Sequence, residues 1–219
     1  MRQDPGAWLK LQYTPGISLA LLHKLLGHFG DPVSVCHAKA AELAQLGLTQ
    51  NSIEHLHSDR VPAAVDTALN WAQQPQQRII TLADDAYPPL LRSIHHPPPV
   101  LYVKGNYELL SEPQLAIVGS RNPSRGGQET ARAFSQHLAQ TGLIITSGLA
   151  LGIDGAAHRG ALDAKAPTIA VMATGIDRIY PARHRTLAQA ILEKGAIISE
   201  LPLGTEALPA LFPQRNRII

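Results

Sequence analysis

Residues 115–124 read LAIVGSRNPS, an apolar run that ends in a glycine-containing turn. Three further apolar runs follow, at residues 143–146, 168–172 and 196–199, and the four runs begin 28, 25 and 28 residues apart. This spacing is close to the ~30 residues of a strand–helix–strand unit. Runs without polar alternation are typical of parallel strands buried on both faces. The sequence therefore predicts an α/β fold with a doubly wound, mostly parallel sheet.

The first third of the chain has a different pattern, that of several short helices. Leucines recur at helical spacing from residue 17 to about residue 71, and turns such as Gly30-Asp31-Pro32 and Leu46-Gly47-Leu48 interrupt them. We expect a small helical domain at residues 1–75 that contains a helix-hairpin-helix, and a sheet domain at residues 76–219. The glycine turn of such a hairpin can approach a DNA phosphate or serve only to pack helices, and the net charge of −1 in this part favours packing.

Composition limits the class of protein. The 219 residues carry a net charge of only +2, but residues 76–219 alone carry +3, so a site for a polyanion is expected there. The single Cys36 has no partner for an internal disulfide, residues 1–5 lead into no apolar leader, and no apolar run is long enough to span a bilayer. These features predict a cytoplasmic protein without a membrane segment.

The turns after the first three runs are where a parallel sheet binds its ligand, at the carboxyl ends of the strands. Each turn contains glycine, which permits close backbone approach to an anion, although any one such turn needs glycine for tight geometry as well. The turns match neither the dinucleotide nor the P-loop template, so we expect no cofactor. The adjacent His95 and His96 have no third ligand nearby in the sequence, so we expect no metal site there. The predicted DNA-binding residues are Gly119, Ser120, Arg121, Ser147, Gly148, Gly152, Gly175, Arg178, Tyr180, Arg183, Arg185, Arg215 and Asn216.

Several of these side chains have alternative roles. Asp154 and His158 stand four residues apart, as an acid/base pair would, but a helix N-cap formed by Asp154 is the favoured interpretation. Tyr180 suits base stacking between arginines and equally a packed Tyr-Pro turn. Arg215 and Arg217 would face different directions, so one is expected to bind DNA while the other pairs with a carboxylate.

At these residues the chain resembles the bacterial DNA-processing protein A family (DprA, also called Smf). The resemblance rests on the phrases at 116–121 (AIVGSR), 147–158 (SGLALGIDGAAH), 175–181 (GIDRIYP) and 212–219 (FPQRNRII), with 84–91 and 98–102 upstream. It implies a sterile-alpha-motif-like helical domain followed by an extended Rossmann-like domain. The family's pocket implies roles for Ser120, Arg121, Gly148, Arg178 and Arg183.

The resemblance also implies a function. The family binds single-stranded DNA without cleaving it, protects incoming DNA during natural transformation (competence), and loads the recombinase RecA for DNA recombination. Its sheet domain continues beyond the Arg-Asn-Arg phrase, so the chain is expected to be a fragment, and the family assigns homodimer formation and the RecA contact largely to that later portion. The alternative is an enzyme similar to phosphoribohydrolases, but residues 202–206 (PLGTE) lack the double glycine of those enzymes.

Overall fold

The computed structural model describes residues 5–58 and 62–219. Outside the described part lie residues 1–4 and 59–61. The first of these ranges belongs to the N-terminal stretch that was tested above for a leader. The described helical part contains α1 (Gly6–Tyr13), α2 (Leu19–Phe29), α3 (Pro32–His37), α4 (Ala40–Leu46), α5 (Gln50–His57) and α6 (Ala63–Ala72).

The boundaries of these helices follow from local chemistry. The side chains of Ser18, Asp31 and Thr49 accept hydrogen bonds from backbone N–H groups at the start of α2, α3 and α5. Gly47 ends α4 with a φ of 111°, a conformation that favours glycine. The predicted turn between two helices at residues 46–49 is therefore present, between α4 and α5.

The second part contains the sheet. Its elements are β1 (Gln77–Thr81), α7 (Pro89–Arg92), β2 (Val100–Gly105), β3 (Gln114–Ala116), α8 (Arg125–Gln140), β4 (Ile144–Ser147), α9 (Ile153–Asp163), β5 (Thr168–Val171), α10 (Arg185–Leu192), β6 (Ala196–Ser199) and α11 (Leu211–Asn216). Short 3₁₀ helices span Tyr107–Ser111 and Ala182–His184.

The six strands form one mostly parallel sheet in the order β1-β2-β6-β5-β4-β3. β3, β4, β5 and β6 are parallel, whereas β2 runs antiparallel to β6 and β1 antiparallel to β2. The predicted fold class, an extended Rossmann-like sheet preceded by a small helical part, is confirmed. Because the parallel strands follow one another in chain order, α8, α9 and α10 all pack on the same face, with Ile145, Ala170 and Ile197, and not on both faces as the predicted double winding would place them.

One detail of the strand prediction is wrong. β4, β5 and β6 are buried along their whole length, but β3 is three residues long and lies at the edge of the sheet. Val118, in the first predicted run, is 57% exposed and lies beyond the end of β3. An apolar run alone does not show whether a strand has neighbours on both sides.

The helical part packs directly on the sheet. Trp8, Leu9 and Val65 belong to the same buried cluster as Val100 and Tyr102 of β2. The Tyr102 hydroxyl also donates to the Gln12 side chain at 2.9 Å. These contacts mean that α1 and α6 cover one face of β2, while the proline-rich segment and residues 218–219 cover the other. The domain boundary near residue 75 stays a prediction.

Candidate nucleic-acid interface

The three glycine-containing turns lie together at the carboxyl ends of β3, β4 and β5. Residues of all three turns line a small hollow of about 60 Å³, and Phe212 of α11 completes it. The turn residues are Arg121 from the first turn, Gly148, Ala150 and Leu151 from the second, and Thr174, Tyr180 and Pro181 from the third. The sheet thus brings together segments that are about 30 to 60 residues apart in the chain.

Aromatic rings and one guanidinium form a wall of this hollow. The guanidinium carbon of Arg121 lies 4.4 Å from the centroid of the Phe212 ring, and the rings of Phe212 and Tyr180 are 5.8 Å apart. Tyr180 is 49% exposed. A cation stacked on one ring and beside another offers both a phosphate partner and flat surfaces for bases.

The positive charge around this edge is largely uncompensated. Arg121, Arg183 and Arg185 are exposed, and no described residue forms an ion pair or hydrogen bond with their side chains. Both arginines of α8, by contrast, pair with carboxylates. A polyanion would therefore find its counter-charge at the turns rather than on the helix.

Close packing explains the glycines of the first two turns. Gly152 has a φ of 82°, and a side chain there would collide with the Ser120 carbonyl. A side chain at Gly119 would collide with Ile153. The Ile153 N–H donates to the same Ser120 carbonyl at 3.1 Å, so the two turns are held against each other.

Several backbone amides of the turns already have acceptors. The buried Asp154 carboxylate accepts from the N–H groups of Gly148 at 3.1 Å and Ala150 at 3.4 Å. The Gly175 N–H donates to the Thr205 carbonyl at 2.9 Å. These three amides are therefore not available to a phosphate.

The interpretation of Asp154 as an N-cap is wrong. The N-cap of α9 is Gly152, and Asp154 lies in the first turn of the helix, where its carboxylate faces back toward the preceding turn. Burial raises the pKa of Asp154, whereas the nearby Arg215 and the amide donors act in the opposite direction. Asp154 organises the second turn from beneath.

Arg215 has a different position from the one expected of a DNA-binding residue. It is only 4% exposed, and its guanidinium donates to the carbonyls of Gly148, at 2.7 Å, and Val171. This arginine therefore supports the second turn from within the protein and is not on the surface. Arg217 pairs with the Glu200 carboxylate, as one of the two arginines was expected to do.

The remaining predicted residues fall into two groups. Ser147 is buried and its hydroxyl donates to the Ile117 carbonyl at 2.6 Å, and Gly175 is packed against the segment 202–204. Asn216 is exposed, and its side-chain oxygen accepts from Arg215 at 3.1 Å. Arg178 is exposed and pairs with Glu206 at 3.3 Å. Ser147 and Gly175 thus shape the turns, whereas Asn216 and Arg178 lie at the surface.

Two buried histidines lie under the turns. His184 donates through Nδ1 to the Leu149 carbonyl at 2.8 Å, and its Nε2 faces Arg159 at 3.3 Å. His158 lies 2.8 Å from the Thr168 hydroxyl through Nδ1, while its Nε2 has no hydrogen-bond partner among the described residues. Burial lowers the pKa of His158 to about 3, so the ring is neutral.

The sequence pattern missed Phe212 as a site residue. It stands 32 residues after Tyr180 in the chain, and only the return of α11 over the third turn brings the two rings together. The available signal was its position beside Pro213 in one of the phrases shared with the DprA family.

Within the described residues, no helix is long and apolar enough to cross a bilayer, and no cluster of three His, Cys, Asp or Glu could hold a metal ion.

Comparison with known proteins identifies the family. A family model described as DNA recombination-mediator protein A matches residues 78–219. The chain belongs to the DNA recombination-mediator protein A family. Protein Smf of Escherichia coli (strain K12), a relative, is 42% identical over 185 residues, which cover 84% of this chain and 49% of the relative. Protein Smf of Synechocystis is 37% identical over 99% of this chain and 56% of its own length. The chain spans about half the length of the curated relatives it matches.

Solved structures of the DprA family resemble the chain as well. DNA processing protein A from Streptococcus pneumoniae superposes with a TM-score of 0.83 at 31% identity, over all of this chain and 75% of that protein. DNA processing protein A from Helicobacter pylori, whose structure addresses its binding of single-stranded DNA, gives a TM-score of 0.58 at 32% identity over 64% of each chain. The fold and the family are thus supported by sequence and structure together.

Proposed function

We propose that the chain binds single-stranded DNA at the hollow between Arg121, Tyr180 and Phe212, without cleaving the strand. The observation that carries this proposal is the exposed, unpaired guanidinium of Arg121 stacked on an aromatic ring at the point where the three turns meet. Proteins that bind single strands combine cations for the backbone with aromatic rings for the bases. The single-stranded DNA binding of the relative from Helicobacter pylori supports the same ligand.

The cellular role that we infer is that of a cytoplasmic recombination mediator. The family description, DNA recombination-mediator protein A, supports a role in recombination. Protection of incoming DNA during transformation, RecA loading and formation of a homodimer are all part of this proposal. Nuclease protection of a bound strand, RecA filament formation on a coated strand and sedimentation velocity test the three parts separately.

The direct experiment compares single-charge variants in a binding assay. Fluorescence anisotropy of a labelled oligo(dT) measures the affinity of the wild type, Arg121→Gln and Lys165→Gln. Lys165 is a matched control because it is an exposed cation between α9 and β5. It lies near the amino end of β5, whereas the turns lie at the carboxyl ends of the strands. Its loss changes the net charge by the same amount.

The expected result is a weaker and less salt-dependent interaction for Arg121→Gln alone. For a single strand, each phosphate contact contributes about 0.7 to the slope of log affinity against log salt concentration. The slope should therefore decrease by about 0.7 in Arg121→Gln and stay unchanged in Lys165→Gln. Equal affinities and slopes for all three proteins would remove Arg121 from the site.

The competing enzymatic function has a simple test. Incubation with nucleoside monophosphates should release no free base, as detected by chromatography. Base release at a rate that depends on protein concentration would contradict a binding function. A duplex of the same sequence in the anisotropy assay is the further control, and tighter binding of the duplex would contradict preference for a single strand.

A further inference from the structure

A second, larger hollow lies on the other side of Tyr180. It has a volume of about 740 Å³, within the ~300–1,000 Å³ of ligand pockets, and it separates the helical part from the third turn. Trp71 of α6, Lys104 of β2, and Arg178 and Arg185 beside the third turn are among its lining residues. We call this hollow the Trp71 cleft.

The charged side chains that line the cleft sum to +1, with three cations, Lys104, Arg178 and Arg185, against the carboxylates of Asp177 and Glu206. The Asp177 carboxylate accepts from the Gly204 N–H at 2.9 Å, and Arg178 pairs with Glu206 at 3.3 Å. Lys104 and Arg185 have no ion pair or side-chain hydrogen bond with any described residue. Lys104 and Arg185 thus remain without a direct partner, and the cleft keeps a net positive charge beside the Asp177 carboxylate.

The cleft also offers an aromatic surface. Trp71 is partly exposed, and its ring packs edge-on against the Tyr102 ring with centroids 5.8 Å apart. Because the Tyr102 hydroxyl is hydrogen-bonded to Gln12, the indole lies against a fixed neighbour. Cations beside a partly exposed indole suit a nucleotide, whose phosphate and base need these two kinds of partner.

The cleft adjoins the hollow at the turns. Tyr180 and Thr174 line both of them, so the exposed Tyr180 ring forms the ridge between the two. We propose that a strand bound at Arg121 continues over Tyr180 into the Trp71 cleft, where Lys104 contacts a phosphate and Trp71 stacks on a base. This inference rests on the proposed function. It extends the binding surface to the helical part of the chain.

The test uses the full chain and strands of two lengths. A short oligo(dT) of about four nucleotides is expected to occupy the hollow at the turns, and one of about fifteen to reach the cleft as well. Lys104→Gln should lower the salt slope for the long strand by about 0.7 and leave the slope for the short strand unchanged. Lys194→Gln, an exposed cation between α10 and β6, is the control and should change neither.

Tryptophan fluorescence gives an independent measurement. The chain has two tryptophans, and Trp8 is buried in the core. The long strand should quench the fluorescence of the wild type but not of Trp71→Phe, and the short strand should quench neither. Cross-linking of a strand that carries 5-iododeoxyuridine should place Trp71 several nucleotides away from the position that cross-links to Tyr180.

The outcomes separate this inference from the proposed function. If the wild type binds neither strand, the proposed function fails and this inference fails with it. If both strands bind but Lys104→Gln keeps the salt slope of the long strand, or quenching persists in Trp71→Phe, the inference alone is overturned. If deoxythymidine monophosphate quenches Trp71 and the long strand does not, the cleft is a mononucleotide site and the continuous path is wrong.

Discussion

Replacement of Phe212 by leucine separates base stacking from charge in the proposed site. Leucine keeps an apolar side chain in the hollow but removes the ring on which Arg121 lies, 4.4 Å from the centroid, and which neighbours Tyr180 at 5.8 Å. One stacked base contributes about 1–3 kcal/mol. The affinity for oligo(dT) should therefore decrease by roughly 5- to 150-fold.

The salt dependence should behave differently from the affinity. Phe212 carries no charge, so Phe212→Leu should keep the slope of log affinity against log salt, whereas Arg121→Gln should lower it by about 0.7. Fluorescence anisotropy at several salt concentrations measures both quantities. Phe134→Leu is the matched control, because Phe134 is 63% exposed on α8 and lines neither hollow.

An abasic strand makes the test specific for stacking. Without bases, the strand should bind the wild type and Phe212→Leu with similar affinity, since only the phosphate contacts remain. Two results would refute the reasoning: affinity for oligo(dT) within twofold of the wild type, or an equal loss of affinity for the abasic strand. The second result would mean that Phe212 acts by positioning Arg121.

Three further predictions concern the support of the turns. Arg215→Met should lower the free energy of unfolding by about 1–3 kcal/mol in urea titrations, because the buried carbonyl oxygens of Gly148 and Val171 lose their donor, and a loss below about 0.5 kcal/mol would contradict this. Gly152→Ala should lower the free energy of unfolding by more than about 1 kcal/mol, because Gly152 has a positive φ and the Ser120 carbonyl lies where the new methyl group would be. The control Gly126→Ala, in α8, has free space and should be neutral or stabilising. Equal effects of the two changes would be inconsistent with the packing. Burial lowers the pKa of His158 to about 3, so the folded protein keeps the ring neutral and the contribution of this residue to stability is complete above pH 6.5. Below that pH the free energy of unfolding should fall by about 1.4 kcal/mol per pH unit, because the unfolded chain takes up the proton that the folded protein does not. Thermal unfolding of His158→Asn should therefore depend less steeply on pH between 6 and 4. Parallel pH profiles for the two proteins would contradict the assignment.

The sequence predicts the sheet well because the periodicity of the chain reflects the repeated crossover. The spacing of the four apolar runs depends only on the length of a strand, a helix and two turns, which is a local property. It does not determine which strand lies at an edge, and the exposure of β3 shows this limit. Burial of a strand depends on its neighbours in the sheet, and these are set by long-range packing.

The candidate site is less predictable for the same physical reason. Arg121 and Tyr180 follow strand ends, so topology alone places them at the ligand-binding edge. The burial of Arg215 depends on α11, which places its guanidinium next to the carbonyls of Gly148 and Val171. Neither that position nor the contact of Phe212 with Tyr180 leaves a local pattern in the sequence.

The hydrogen bonds of the turns change the physical account of how this edge would bind an anion. Glycine-rich turns at strand ends usually suggest that free backbone amides bind phosphate. Here Asp154 already accepts the amides of Gly148 and Ala150, and a free phosphate at that position would also meet a buried carboxylate. An anion at this edge would therefore bind away from these two amides, beside the exposed Arg121 guanidinium. A surface of this kind tolerates any base sequence, because a guanidinium and an aromatic ring contact features that all nucleotides share.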